Sequence, residues 1–180
     1  MQPNIIYVFI DMDGTLARFH EHANWIEAMC ENGFFYNLRP YEQMVLAVQE
    51  IIPHPNIQVI FHSSAPTENP NAIKEKEQWL EKHFPRTQDY DKIIRFLPCN
   101  KAEEAIKYLN RPLTEYDFLW DDYSANLRDW VAHGGTGIKC VNEIQDLPDA
   151  SSWSGYRVGA ENPWYEIVDK LQHILNIEIF

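Results

Sequence analysis

The chain has 180 residues, which suits one domain with a small insert, and its 45% hydrophobic and 13% aromatic content supplies a packed core and excludes disorder. A formal net charge of −12 with no basic stripe makes long nucleic acids poor candidate partners and leaves small anionic substrates, provided a cation screens them. No run of about 18 apolar residues occurs, so no membrane span is expected, and the first apolar run has no basic residues before it, so the expected address is the cytoplasm.

Residues 4–10 (NIIYVFI) are β-branched and aromatic and read as a buried strand. Residues 22–31 place Trp25, Ile26, Met29 and Cys30 at helical spacing, and Gly33 stops that helix. Phe34, Phe35 and Leu38 form an apolar knot before Pro40, which opens a helix over 40–52. A second strand is expected at 57–62. An amphipathic helix follows at 69–84, with Ile73, Trp79, Leu80 and Phe84 toward the core. Residues 92–97 are the third strand, and Asn100 is an N-cap for the next helix. The fourth strand, 116–120, runs into Asp121 and Asp122. A short helix follows and stops at Gly134. Residues 136–141 form the fifth strand, 147–156 a loop, and 162–175 the closing helix. Cys30, Cys99 and Cys140 form no CxxC pair and are expected as buried, reduced thiols.

This alternation predicts an α/β fold with a doubly wound, mostly parallel sheet of five strands. The connection between the first two strands is longer than one crossover needs. Residues 18–40 therefore read as a small helical cap, inserted into a core made of residues 1–17 and 41–180.

The chemistry-bearing residues recur at the carboxyl ends of strands, where open α/β sheets bind their ligands. Asp11 and Asp13 follow the first strand, Ser63 and Ser64 the second, Lys101 the third, and Asp121 and Asp122 the fourth. Two acid pairs on one rim repel each other unless a cation lies between them. An all-oxygen set favours Mg²⁺. A carboxylate can take up a phosphoryl group, and a second one two residues away can move the proton. Gly14 lets the chain turn away, and the Thr15 hydroxyl is expected to fix the loop.

The stretch DMDGT, residues 11–15, matches the first motif of the haloacid dehalogenase-like hydrolases. Ser63, Lys101 and the Asp121–Asp122 pair stand in the order of that superfamily's remaining motifs. The resemblance implies a Rossmann-like core, Asp11 as nucleophile and Asp13 as acid/base. It implies Ser63, Ser64 and Lys101 as phosphate-binding groups, with Ser63 and Lys101 also serving catalysis. Mg²⁺ would be held by Asp11, the backbone carbonyl of Asp13 and Asp122, with Asp121 in support. An Asp at position 13 weighs against dehalogenation and against the P-type ATPase branch.

NGFFYNLRP and WDDYSANLRDW, the latter followed by GGTGIK, further resemble the 5′(3′)-deoxyribonucleotidases. That resemblance implies nucleoside monophosphates as substrates, the deoxy forms preferred. Phe34 and Phe35 are candidates for stacking on the base or, equally, for pinning the cap to the core. The cap is shorter than in the animal enzymes, and HSSAP departs from their second motif. Substrate preference therefore stays open. Sugar phosphates and polynucleotide 3′ ends are the enzymatic alternatives, and a non-catalytic nucleotide-binding module is the third reading. A homodimer in which a neighbouring subunit completes the short cap also stays open.

Overall fold

The structure, a computed structural model, describes residues 5–22, 24–84, 90–142 and 153–177. Its six strands are β1 (Ile6–Ile10), β2 (Ile57–Ala65), β3 (Tyr90–Phe96), β4 (Asp117–Asp121), β5 (Thr136–Val141) and β6 (Tyr156–Gly159). Its helices are α1 (Trp25–Ala28), α2 (Glu42–Ile51), α3 (Ala72–His83), α4 (Lys101–Leu109), α5 (Ser124–Ala132) and α6 (Trp164–Leu175). The strands form one sheet in the order β3-β2-β1-β4-β5-β6, every pair parallel.

The sheet thus has six strands where five are expected. The sixth comes from the end of the expected 147–156 loop and the three residues after it. β6 is four residues long with only Val158 fully buried, so its sequence carries no alternating pattern; pairing with β5 is what makes it a strand. Part of that loop, 147–152, lies outside the described residues.

The central strands β1, β2 and β4 are packed on both faces. Val8 and Ile10 of β1 belong to a core with Met44 and Val48 of α2, Trp79 and Leu80 of α3, and Val168 and Leu171 of α6. Phe9 faces the opposite way, into a second core with Leu119, Ala102 and Ala105 of α4, and Leu127 and Trp130 of α5. Burial on both faces explains why these strands read as continuous apolar runs. The chain winds outward from β1 to β3, then returns to place β4 on the other side of β1. The winding reverses at the β1–β4 gap, and ligands of such sheets bind at that reversal.

Residues 18–40 leave and rejoin the core side by side: Ala17 bridges Pro40, and the Arg18 N–H donates to the Arg39 carbonyl at 2.8 Å. Between them lie one 3-10 turn, Phe19–Glu21, and the single turn α1. The expected helix over 22–31 is therefore much shorter. Trp25 and Met29 pack on the core, but Ile26 is 58% exposed and Cys30 is exposed as well. Packing of Phe19, Phe34, Phe35 and Trp25 against one another organises this segment, together with bonds from α3 and the turn before it. The Glu75 carboxylate accepts from the N–H groups of Gly33 (2.7 Å) and Phe35 (3.2 Å). Asn69 Nδ2 donates to the Glu31 carbonyl at 3.0 Å, and Trp79 Nε1 to the Leu38 carbonyl at 2.7 Å.

Other expectations resolve locally. Asn100 caps α4, its side chain accepting from the Glu103 N–H at 3.0 Å. Gly134 ends α5 at a φ of +97°, which only glycine adopts without strain. Of the cysteines, Cys140 alone is buried; Cys99 is half-buried, and all three are free.

Candidate active site

The last paired residues of β1 and β4 are Ile10 and Trp120, and the Asp11 N–H donates to the Trp120 carbonyl at 2.9 Å. The next residues, Asp11 and Asp121, are thereby forced together at the sheet reversal. Lys101, the first residue of α4, bridges them: its Nζ lies 2.6 Å from Asp11 Oδ1 and 2.7 Å from Asp121 Oδ2. Asp121 also accepts from the Tyr123 N–H at 2.7 Å and from Asn126 Nδ2 at 2.9 Å. Asp122 is oriented differently. Asn142 Nδ2 donates to its Oδ2 at 3.1 Å and to the Gly14 carbonyl at 2.7 Å, and Lys139 Nζ donates to its backbone carbonyl. Gly14 sits at a φ of +75°, and a Cβ there would lie 2.1 Å from Asp122 Oδ2. Glycine is thus needed twice over, for the turn and for the approach of Asp122.

The electrostatics of this cluster are unbalanced. Burial, reinforced by Asp121 and Asp13 against the opposing Lys101, raises the Asp11 carboxyl from 3.8 to about 7. Burial also raises Asp122 well above the usual range, with Asp121 and Asp11 adding to it. Burial alone would lower Lys101, but Asp11 and Asp121 outweigh it and hold the ammonium charged. Lys101, with Lys139 beside Asp122, therefore does not neutralise the three acids. Carboxylate oxygens of Asp11, Asp121 and Asp122 lie within 4.8 Å of one another, an all-oxygen set that fits a hard divalent cation.

Asp13 is held by a residue that its sequence context does not mark. Lys76 of α3 is fully buried, forms an ion pair with Asp13 Oδ2 and donates to Ser63 Oγ at 3.0 Å. A helix signal for it existed: Ala72, Lys76, Trp79 and Leu80 share one face at helical spacing, so Lys76 stands on the apolar stripe. β2 runs on through Ala65, so Ser63 and Ser64 end the strand rather than follow it. Successive strand residues face opposite sides. Ser63 accordingly meets Lys76, whereas Ser64 meets the Cys99 thiol.

Phe35 does not offer a face for stacking. It is fully buried, stacked on Phe19 and edge-on to Phe34, with Lys76 Nζ 4.4 Å from its ring centre. Phe34 is only partly buried and lines a hollow of about 470 Å³ with Arg18, Glu21, His22, Asn37 and Arg39. The Thr15 hydroxyl, expected to fix the loop, is buried without a partner among the described residues. His62 is a core residue: its ring packs by Phe9, and burial lowers it far enough to keep it neutral.

A family model for 5′ nucleotidase, deoxy (pyrimidine), cytosolic type C protein matches residues 19–157. The chain belongs to this family. Nucleotidases of this type are phosphatases on the haloacid dehalogenase-like fold, and the solved structures agree with that fold. A haloacid dehalogenase-like hydrolase of Streptococcus pneumoniae superposes with a TM-score of 0.61 at 12% identity, covering 94% of this chain and 99% of its own. A hydrolase of the same superfamily from Ehrlichia chaffeensis gives 0.58 at 10% identity, covering 98% and 100%. The corresponding domain of the effector Lem4 from Legionella pneumophila gives 0.55 at 13% identity, covering 96% of each chain. No curated protein sequence matches. The chain is thus a hydrolase of the phosphatase class, and no described helix is long and apolar enough to cross a membrane.

Proposed function

We propose that the chain is a Mg²⁺-dependent phosphomonoesterase of nucleoside monophosphates, the deoxyribonucleotides preferred, working through an aspartyl phosphate. The observation that carries this reading is the Asp11–Lys101–Asp121 contact at the sheet reversal in a member of the nucleotidase family. A carboxylate of Asp11 attacks phosphorus and forms the new P–O bond. The bond to the nucleoside oxygen breaks, and Asp13 gives that oxygen its proton. Water then attacks the phosphorus of the aspartyl phosphate, Asp13 takes back a proton, and inorganic phosphate leaves with Asp11 restored. Lys101 and the Ser63 hydroxyl offset the charge on the phosphoryl oxygens.

Asp11, Asp122 and the backbone carbonyl of Asp13 would hold Mg²⁺, with Asp121 behind them. Asp121 already accepts from three donors and Asp122 from one side-chain donor, which supports Asp122 as the direct ligand. When bound, the ion supplies positive charge that lets Asp11 ionise and the phosphate approach. Phe34 and its hollow are the proposed seat of the base, and the family's cytosolic character supports a cytoplasmic address.

Phosphate release across a panel of nucleoside monophosphates and sugar phosphates, with and without chelator, tests the reading. Turnover of nucleotides that chelation abolishes is expected. A preference for sugar phosphates would overturn the substrate, and no release with Mg²⁺ present would overturn the enzyme.

A further inference from the structure

Lysine is seldom fully buried without a partner, and Lys76 is fully buried. Its ammonium has three donors. One goes to Asp13 Oδ2, one to Ser63 Oγ at 3.0 Å, and the remaining side faces the Phe35 ring. That leaves no donor for a phosphate. Phe35 is itself fixed, because its N–H is held by Glu75, the residue next to Lys76 on α3. The lysine is therefore clamped from below and points its charge at the side of Asp13.

The two oxygens of Asp13 are not equivalent. Oδ2 is committed to Lys76, whereas Oδ1 is shielded and has no partner among the described residues. Turning the carboxyl would give up the contact with Lys76, so that contact fixes which oxygen is free. Ser63 is set in the same way: its oxygen accepts from Lys76, so its O–H is left to donate outward.

We propose that Lys76 is a positioning residue that fixes the Asp13 carboxyl through Oδ2, so that Oδ1 alone carries the proton to and from the reacting oxygens. The inference rests on the proposed phosphatase reaction and adds to it which lysine serves the acid/base and which serves the nucleophile. Lys101 holds Asp11, and Lys76 holds Asp13. The role differs from phosphate binding, because it matters only where a proton must move.

The experiment compares two substrates that differ in that need. A nucleoside 5′-monophosphate expels an alkoxide, which requires a proton. p-Nitrophenyl phosphate expels a phenolate that departs without one. The value of kcat/KM reports the first chemical step alone, before hydrolysis of the aspartyl phosphate. In Lys76→Met it is expected to fall about 100-fold on the nucleotide and less than about threefold on the aryl ester, the size of a lost general acid. A burst of nitrophenolate of about one equivalent is expected as well, because the second step still needs the base. Asp13→Asn should show the same split and the same burst.

Equal losses on both substrates, or a loss on neither, would overturn the proposal. A split in Asp13→Asn that is absent from Lys76→Met would overturn the role of Lys76 alone. Absence of the split from Asp13→Asn would remove the proposed reaction with it. Thermal unfolding monitors the fold, and Lys76→Gln gives the same comparison should the methionine variant not fold. If neither folds, Lys76 is a structural ion pair and the proposal fails.

Discussion

The two ends of β4 place buried acids in opposite situations. At the amino end Asp117 is fully buried, and four donors fill its two oxygens. Arg111 Nη1 and Nη2 reach it at 2.7 and 2.8 Å, the Thr114 N–H at 2.7 Å and the Thr114 hydroxyl at 2.9 Å. At the carboxyl end Asp121, Asp122 and Asp11 share Lys101, Lys139 beside Asp122 and a few amides, and both Asp11 and Asp122 are still pushed toward protonation. A buried acid is thus not a site in itself. An acid whose donors are complete holds the fold, and acids left short of positive charge are poised for a ligand.

Asp11→Asn makes the sharpest division between the two ends. Phosphate release is expected to fall by at least about 10⁴-fold, the scale of a lost nucleophile, while the melting temperature holds or rises because repulsion is relieved. Full activity in that variant would reject Asp11 as the attacking group. Arg111→Ala at the other end should do the reverse. Leaving the buried Asp117 without its counter-charge, on the two Thr114 donors alone, is expected to cost about 2–4 kcal/mol in chemical denaturation, with kcat unchanged. A fall in kcat of the folded variant would erase the distinction between the ends.

Asn142→Ala removes a donor from the end that has few. Titration with Mg²⁺ should show about tenfold weaker affinity, with kcat recovered at saturating ion. The smallest effect concerns pH. Asp11 keeps its proton up to about pH 7 when folded but loses it near 3.8 when unfolded. Its contribution to stability is therefore complete below about pH 4 and is lost as the pH rises through 7. A cation that removes this penalty should raise the melting temperature by a few degrees at pH 7.5 and by less at pH 5. Equal shifts at both values would uncouple the ion from Asp11.

The acids were readable from the sequence because each stands where an apolar run stops, and an apolar run read as a strand fixes the rim on which its next residue falls. Asn100 and Gly134 were readable because a cap and a helix stop are local chemistry. Lys76 was masked by its neighbours: in AIKEKEQW it looks like one of several solvated charges, and its place on the apolar stripe of α3 was the one local sign that it turns inward. β6 and the single turn α1 were unreadable because partners distant in sequence create them. The choice between Phe34 and Phe35 was not readable, because an aromatic pair gives no sign of which ring turns inward.

Glu75 and Lys76 are consecutive, and one grips the backbone of the 18–40 segment while the other grips Asp13. Swinging that segment away as a hinged flap would break the Glu75 bonds and strip the Phe35 ring from beneath the lysine. The contacts of Lys76 with Asp13 and Ser63 lie outside that segment, so such an excursion would bare the ammonium to water on its Phe35 side and leave the carboxyl held.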